Sequence, residues 1–203
     1  SKKVRLLKGS GVQLKNFFKL EDPTGIPVVC FAARLLVDKG VYEFVSAAKL
    51  LKEKGIQARF FLAGDLDTQN PTGITNKDLE KIKDDKYVEV LGYQNDIPLL
   101  FSRSHIICLP SYREGFPKAL IEAAAAGRAV VTTDVPGCRD AIIPNKTGLL
   151  VPVRDAAALA NAILDLIKNT EKRKTMGIAG RELAEKEYKI ENIVDAHIKI
   201  YQD

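Results

Sequence analysis

Six short apolar stretches, at residues 27–33, 58–63, 87–91, 106–109, 129–133 and 147–151, recur along this chain, and most are separated by residues whose apolar positions repeat at helical spacing. Each stretch is apolar at consecutive positions instead of alternate ones, so both faces of the strand it forms must be covered. Between residues 39 and 54, Val41, Phe44, Val45, Ala48 and Leu51 mark the buried stripe of a covering helix. Further helices are expected at 76–84, at 96–102, from Pro117 onward and at 155–168. Strands that need cover on two sides, joined by helices, make a parallel sheet with right-handed crossovers. The expected fold is therefore a doubly wound, Rossmann-like α/β domain with helices on both faces. Ligands of such sheets bind beyond the carboxyl ends of the strands, so the residues directly after each apolar run are where chemistry is to be sought.

Composition agrees with that reading. The 203 residues are 46% hydrophobic, enough for a substantial core in one domain with an appended element. No apolar run approaches the ~18–20 residues that span a bilayer, and the first residues lack the basic-then-apolar order of a secretory signal. Cys30, Cys108 and Cys138 are odd in number and lack metal-ligand spacing, so they read as buried thiols in a reducing, cytoplasmic compartment. The net charge of +5 is spread among acids along the helices, Lys2, Lys3, Arg5 and Lys8 excepted, and no basic-aromatic interleaving accompanies it. Nucleic acid is not an expected partner. Residues 171–187 and 190–201 form a helical tail, in which Ile190, Ile193, Val194, His197, Ile198 and Tyr201 share a face that needs cover from this domain or from another. Residues 67–75, containing Asn70-Pro71-Thr72-Gly73, read as a mobile surface loop.

The stretch from Ser111 to Ala123 carries the most information. Pro117 suits a first helical position, because its absent N–H would have been an orphan there and its φ is already helical. Glu114 then lies in the preceding loop. Two residues eight apart on one helix would diverge by about 80°, whereas a loop position lets Glu114 and Glu122 face one cleft. Glu122 sits among Ala119, Leu120, Ile121 and the alanines at 123–126, an acid on a largely buried helix that needs a partner. Its structural alternative is an i, i+4 pair with Lys118, worth only ~0.2–0.5 kcal/mol; for Glu114 the alternative is a loop pair with Arg113. Gly115 admits close backbone approach, and the free amides of Gly115, Phe116, Lys118 and Ala119 can donate to hydroxyls or phosphate.

Arg34 and Lys39 flank the loop after the first apolar run, where the next helix start already favours an anion. A planar fork and a movable point charge suit a diphosphate; two solvated charges with Asp38 as local partner are the alternative. Asp96 and Asp155 read as N-caps. Gly137, within Val135-Pro136-Gly137-Cys138, reads as a turn that keeps the backbone low. Cys138 has no nearby His to activate it, and neither His105 nor His197 stands in a ligand-like cluster, so no metal site is expected.

Four ordered segments, Ala33-Arg34-Leu35-Leu36-Val37-Asp38-Lys39-Gly40, Leu91-Gly92-Tyr93-Gln94-Asn95-Asp96, the Glu114/Glu122 pair, and Val135-Pro136-Gly137-Cys138 with Gly148-Leu149-Leu150-Val151, resemble the retaining glycosyltransferases of family 4, the glycosyl transferases group 1, which have the two-domain GT-B fold. The resemblance implies the C-terminal, donor-binding half: residues 1–20 lead in from an N-terminal domain, 21–168 bind the nucleotide sugar, and 169–203 are the helical tail. It implies that Glu114 accepts from donor-sugar hydroxyls and steadies positive charge at the anomeric carbon, with Arg34 and Lys39 stabilising the leaving diphosphate. Glu122 would accept from the ribose diol, and the base would lie against the backbone near Gln94. The donor expected is a UDP-hexose or UDP-N-acetylhexosamine, the acceptor a glycan or a lipid-linked sugar at the inner membrane surface, in polysaccharide or glycoconjugate synthesis. No cofactor or metal is expected. A GT-B sugar-nucleotide epimerase and a non-catalytic nucleotide-binding scaffold are the alternatives, and this half alone is expected to be inactive in transfer.

Overall fold

A computed structural model describes residues 9–17 and 21–202, without the side chains of residues 196, 197 and 199–202. The strands β1 (Val28–Ala32), β2 (Arg59–Ala63), β3 (Glu89–Gly92), β4 (Ile106–Leu109), β5 (Ala129–Thr133) and β6 (Gly148–Val151) form one parallel sheet in the order β3-β2-β1-β4-β5-β6. Helices α1 (Val41–Glu53), α2 (Asn76–Asp85), α3 (Ile97–Ser102), α4 (Lys118–Ala125), α5 (Pro136–Asp140) and α6 (Ala156–Lys168) connect or follow them. The doubly wound, Rossmann-like expectation is met. Right-handed crossovers place α1 and α2 on one face and α3, α4 and α5 on the other. Helix α6 returns to pack on α1, while α7 (Thr170–Leu183) packs on α4 and β5.

Strand order reverses between β1 and β4, which pair through Val29 with Ile106 and Cys30 with Ile107. Their outgoing loops diverge toward opposite faces and open a crevice between them. Those loops are nonetheless tied at their base: the Asp38 carbonyl accepts from the Tyr112 amide at 2.8 Å and from Ser111 Oγ at 2.9 Å. Gly40 takes φ 76° at the start of α1, and a Cβ there would overlap the Pro110 carbonyl, so only a bare position lets the two loops touch. Beneath them the rings of Phe31, Phe44 and Phe60 pack in sequence, tilted and then edge-on, at 5.6 and 6.0 Å, joining β1, α1 and β2.

The opposite end of the sheet is closed by buried polar groups. Arg173 donates to both oxygens of Asp22, at 2.5 Å in the shortest bond, and Arg128 donates to the carbonyls of Phe101, Glu21 and Ser102. His105 accepts from the Val28 amide through Nδ1 at 2.9 Å and donates from Nε2 to the Pro23 carbonyl at 2.8 Å, the tautomer its two partners require. Asp22, His105 and Arg128 each precede a strand and Arg173 reaches them from α7, so the cluster anchors residues 21–23 to the sheet floor, away from the crevice.

Several local expectations change. Pro117 is not the first helical residue; with φ −73° and ψ 119° it is the N-cap, and α4 begins at Lys118. A proline φ fits both positions, and the extended ψ decides between them. Gly137 lies not in a turn but in the first turn of α5, buried beneath the Glu114 loop, where a Cβ would overlap the carbonyl oxygens of Glu114 and Gly115. The 67–75 segment is not a free surface loop. It bonds to the β1 exit through Val37 N to Thr72 O at 2.7 Å and Ile74 N to Leu35 O at 3.1 Å, and Ile74 is buried. Asp96 and Asp155 do cap their helices, accepting from Leu99 N and Ala158 N at 2.8 Å each.

The tail divides in two. Helix α7 ends at Leu183 in a wide π turn, Ala184–Tyr188, whose Tyr188 is buried edge-on to Phe116 at 5.6 Å. The incoming segment joins it there: Val12 N donates to Tyr188 O at 2.7 Å and Ile190 N to Val12 O at 3.1 Å. Along α8 (Ile190–Gln202) Ile193 is buried, but Val194 and Ile198 are about half exposed at 49% and 47%. The side chains of His197 and Tyr201, and all of Lys2, Lys3, Arg5 and Lys8, lie outside the described residues.

Burial pushes the His105 pKa below its ordinary value, and protonating Nδ1 would set an N–H against the Val28 amide. The unfolded chain then binds the extra proton, so this group's contribution to stability is complete above about pH 6.5 and declines as pH falls toward the lower folded pKa. A His105→Gln variant should show a flatter loss of urea-unfolding free energy below that pH than the parent does. Gly137→Ala should destabilise by about 1–3 kcal/mol through overpacking against the Glu114 loop. Gly115→Ala, with nothing within 4 Å of its Cβ position, should shift the urea midpoint little.

Candidate functional site

Two charges meet across the mouth of the crevice. Lys39, at the end of the β1 loop, donates from Nζ to Glu114 Oε1 at 2.5 Å, with side-chain exposures of 21% and 9%. Removing two charges this far from water is costly, and a short charge-assisted hydrogen bond offsets the cost only while both partners remain. Neither expected alternative appears: Lys39 does not pair with Asp38, nor Glu114 with Arg113. Sequence spacing could not have shown the contact, because the strand pairing brings residues 75 apart together.

Directly beyond Glu114, the amides of Gly115, Phe116, Lys118 and Ala119 have no protein acceptor among the described residues, and the start of α4 adds its positive dipole end. Glu122 lies one turn further down α4, largely buried, and its Oε1 is 3.3 Å from Lys118 Nζ. Desolvation raises its carboxyl pKa, and Lys118 opposes that only in part. The predicted i, i+4 pair is therefore present, yet Lys118 is 67% exposed and a surface partner of that kind contributes little. Glu122 and Lys118 border a hollow of about 290 Å³ together with Gly11, Val12, Asn16 and Ile190.

Arg34 and Gln94 line a different hollow of about 420 Å³ over the ends of β1, β2 and β3, with Ala33, Gly64, Asp67 and Tyr93. Arg34 does not reach Glu114; its Nη1 donates to Asp67 Oδ2 at 2.7 Å. Gln94 turns its amide back, donating to the carbonyls of Leu91 at 2.9 Å and Tyr93 at 3.1 Å, which holds the loop and leaves its side-chain oxygen available. The structure thus brings Lys39 and Glu114 into contact and leaves Arg34 with Gln94, and Glu122 with Lys118, as flanking groups on either side. Gly137 serves from beneath by letting α5 approach the Glu114 loop. A hollow of about 680 Å³ between Lys15, Phe17 and α3, larger than these two, lies apart from the Lys39–Glu114 contact and has no comparable charge pair, so volume is a poor guide here.

Residues to which the sequence reading assigned no site role also shape the site. Asp65-Leu66-Asp67 has Asp-x-Asp spacing, but the Asp67 carboxylate pairs with Arg34, the Asp65 backbone carbonyl accepts from Leu35 N, and no group of three potential ligands gathers among the described residues. Tyr112 is fixed by donating from its hydroxyl to Glu43 at 2.7 Å beneath the Arg154 guanidinium, 4.7 Å from its ring centre. Burial and the Glu43 carboxylate push that phenol up to about 12. The sequence offered only Tyr112's proximity to Glu114 as a signal. Cys30, Cys108 and Cys138 are free, buried thiols with raised pKa values, inert as nucleophiles.

The α-1,3-N-acetylgalactosaminyltransferase of Campylobacter jejuni that acts on N,N'-diacetylbacillosaminyl-diphospho-undecaprenol is 34% identical over 184 residues, covering 84% of this chain and 47% of that protein. The chain spans about half the length of the curated relatives it matches. Sucrose-phosphate synthase from Thermosynechococcus elongatus superposes with a TM-score of 0.86 at 29% identity over 97% of this chain and 52% of its own. Anabaena HepE, solved in complex with UDP, shares the fold with a TM-score of 0.82 at 21% identity over 95% of this chain and 56% of its own. A family model described as glycosyl transferases group 1 matches residues 12–183, most of the chain. The described strands, the crevice at their reversal and the residues it gathers are those of that model's span, and the chain belongs to the glycosyl transferases group 1 family.

Proposed function

We propose that this chain forms the donor-binding half of a retaining glycosyltransferase that moves a hexose or N-acetylhexosamine from a nucleotide diphosphate sugar, UDP being the favoured carrier, to a glycan or lipid-linked acceptor. The Lys39–Glu114 contact across the strand reversal is the observation that carries this reading. In the structure the two charges neutralise each other. A diphosphate entering beside the open amides of α4 would take Lys39 as its counter-charge and release Glu114 toward the sugar hydroxyls. Charge that grows on the departing diphosphate is then met by Lys39, by those amides and by Arg34 from the far wall. Glu122 offers two acceptor oxygens to the ribose diol, and its partial burial favours an occupant that supplies donors. Retention fits attack by the acceptor hydroxyl on the face the diphosphate leaves, its proton passing to a phosphate oxygen. The cations of the site answer the leaving-group charge in this scheme without a divalent metal.

The relative from Campylobacter jejuni carries a lipid diphosphate in its name, and HepE was solved with UDP; both favour this donor and acceptor class. The acceptor site and the other wall of the cleft would belong to sequence beyond this half, and closure of the two would exclude water from the sugar. A lipid-linked acceptor would be met at a membrane surface; no described helix is long and apolar enough to cross a membrane.

Calorimetric titration of the chain with UDP, GDP and ADP, in the presence of a chelator, tests the site directly. Lys39→Ala should weaken the preferred nucleotide about tenfold or more, as expected for loss of a charged hydrogen bond. Glu122→Ala should weaken the nucleotide but not inorganic pyrophosphate, which has no ribose. Glu114→Ala should leave nucleotide affinity unchanged or improved, since it frees Lys39, while abolishing most sugar transfer in the complete polypeptide. Equal losses of nucleotide binding and transfer in Glu114→Ala would remove its assigned role, and an epimerised donor in place of a glycoside would redirect the reading to the epimerase alternative.

A further inference from the structure

We infer that Asp67 is a positioning residue for Arg34, and that the 65–75 segment is a rigid brace holding the guanidinium toward the donor diphosphate; the inference rests on the donor-site reading above. Arg34 follows β1 and Asp67 follows β2, strands that pair in register, so their exits lie side by side. Among the described residues the Nη1–Oδ2 bond of 2.7 Å is the one tie of the Arg34 side chain, and it leaves the other edge of the fork free for an anion.

Asp67 is itself firmly placed. Its carbonyl accepts from Asn70 N at 3.1 Å and lies where a Cβ on Gly73 would overlap it, so the turn closes only over a glycine. The Asn70 side-chain oxygen accepts from both Thr72 N and Thr72 Oγ1 at 3.0 Å. Rungs to the β1 exit complete the frame: Leu35 N to Asp65 O at 2.9 Å, Val37 N to Thr72 O at 2.7 Å and Ile74 N to Leu35 O at 3.1 Å. The backbone that carries Arg34 and the backbone that carries Asp67 are therefore one hydrogen-bonded unit, floored by buried Ile74.

The Arg34 side chain is 61% exposed, and without Asp67 it would sample many rotamers over the hollow it shares with Gln94. An acid beside a phosphate site is unfavourable on charge alone, since it repels the ligand. Its presence there is accounted for if the gain from orienting Arg34 exceeds that repulsion. The two effects have opposite signs, which makes the inference decidable: neutralising Asp67 tightens an anion if only charge matters and loosens it if orientation matters more.

The experiment is a double-mutant cycle on this chain, titrated with UDP, GDP and ADP in a chelator at fixed salt, with Asp67→Asn, Arg34→Ala, Lys39→Ala and the Asp67→Asn/Arg34→Ala pair. Asp67→Asn should weaken the preferred nucleotide diphosphate about two- to fivefold, the range of an exposed ion pair, with the thermal midpoint unchanged. In the Arg34→Ala background the same change should have no effect or tighten binding, because only the repulsion is left to remove. Unchanged or tighter binding by Asp67→Asn alone would overturn the inference. So would a loss that persists undiminished without Arg34, which would mean that Asp67 acts by another route. If neither Arg34→Ala nor Lys39→Ala weakens any nucleotide, or the parent binds none, the donor-site reading fails and the inference falls with it.

Discussion

The pairing of β1 with β4 is the contact on which the rest of the molecule depends. Two strands separated by two others in sequence lie side by side, and their outgoing loops must part because the helices they lead to cover opposite faces. A crevice at that point follows from topology alone. What keeps it from gaping is local: the Asp38 carbonyl takes two hydrogen bonds from the β4 loop, Gly40 lies bare against Pro110, and Gly137 lets α5 rise under Glu114. Backbone contacts of this kind hold the charged groups near one another without using the charges themselves.

The molecule also separates its polar burial by role. At the amino ends of the strands, Arg128, Arg173, Asp22 and His105 are bonded to carbonyls, amides and each other, and they fix the incoming chain. A network so completely paired resists change, since removing one member strands the rest. At the carboxyl ends the pairs are single and replaceable. Among the described residues Lys39 has only Glu114, Glu122 has only an exposed lysine, and Arg34 keeps one edge of its fork open. Groups that can exchange partners at small cost are the ones able to meet a ligand, whereas the floor cluster cannot.

Much of the fold was legible because the apolar runs are continuous and the intervals between them carry helical spacing; β4 and β5 fall at the predicted residues and Asp96 and Asp155 cap as expected. Legibility failed where backbone hydrogen bonds to distant segments outweigh local composition. The polar, Pro- and Gly-containing run at 67–75 resembles a free loop, yet rungs to Leu35 and Val37 and the burial of Ile74 hold it in place. Gly137 reads as a turn residue locally but serves a packing contact against a carbonyl from another loop.

The sequence by itself determined the class of fold, the positions of the chemical groups relative to strand ends, and the presence of an acid on a buried helix, because these depend on periodicity and on neighbours within a turn or two. Only the tertiary structure decided the partners. Lys39 meets Glu114, Arg34 meets Asp67 and Tyr112 meets Glu43 across 75, 33 and 69 residues of chain, since parallel strands align their exits regardless of how much sequence lies between them.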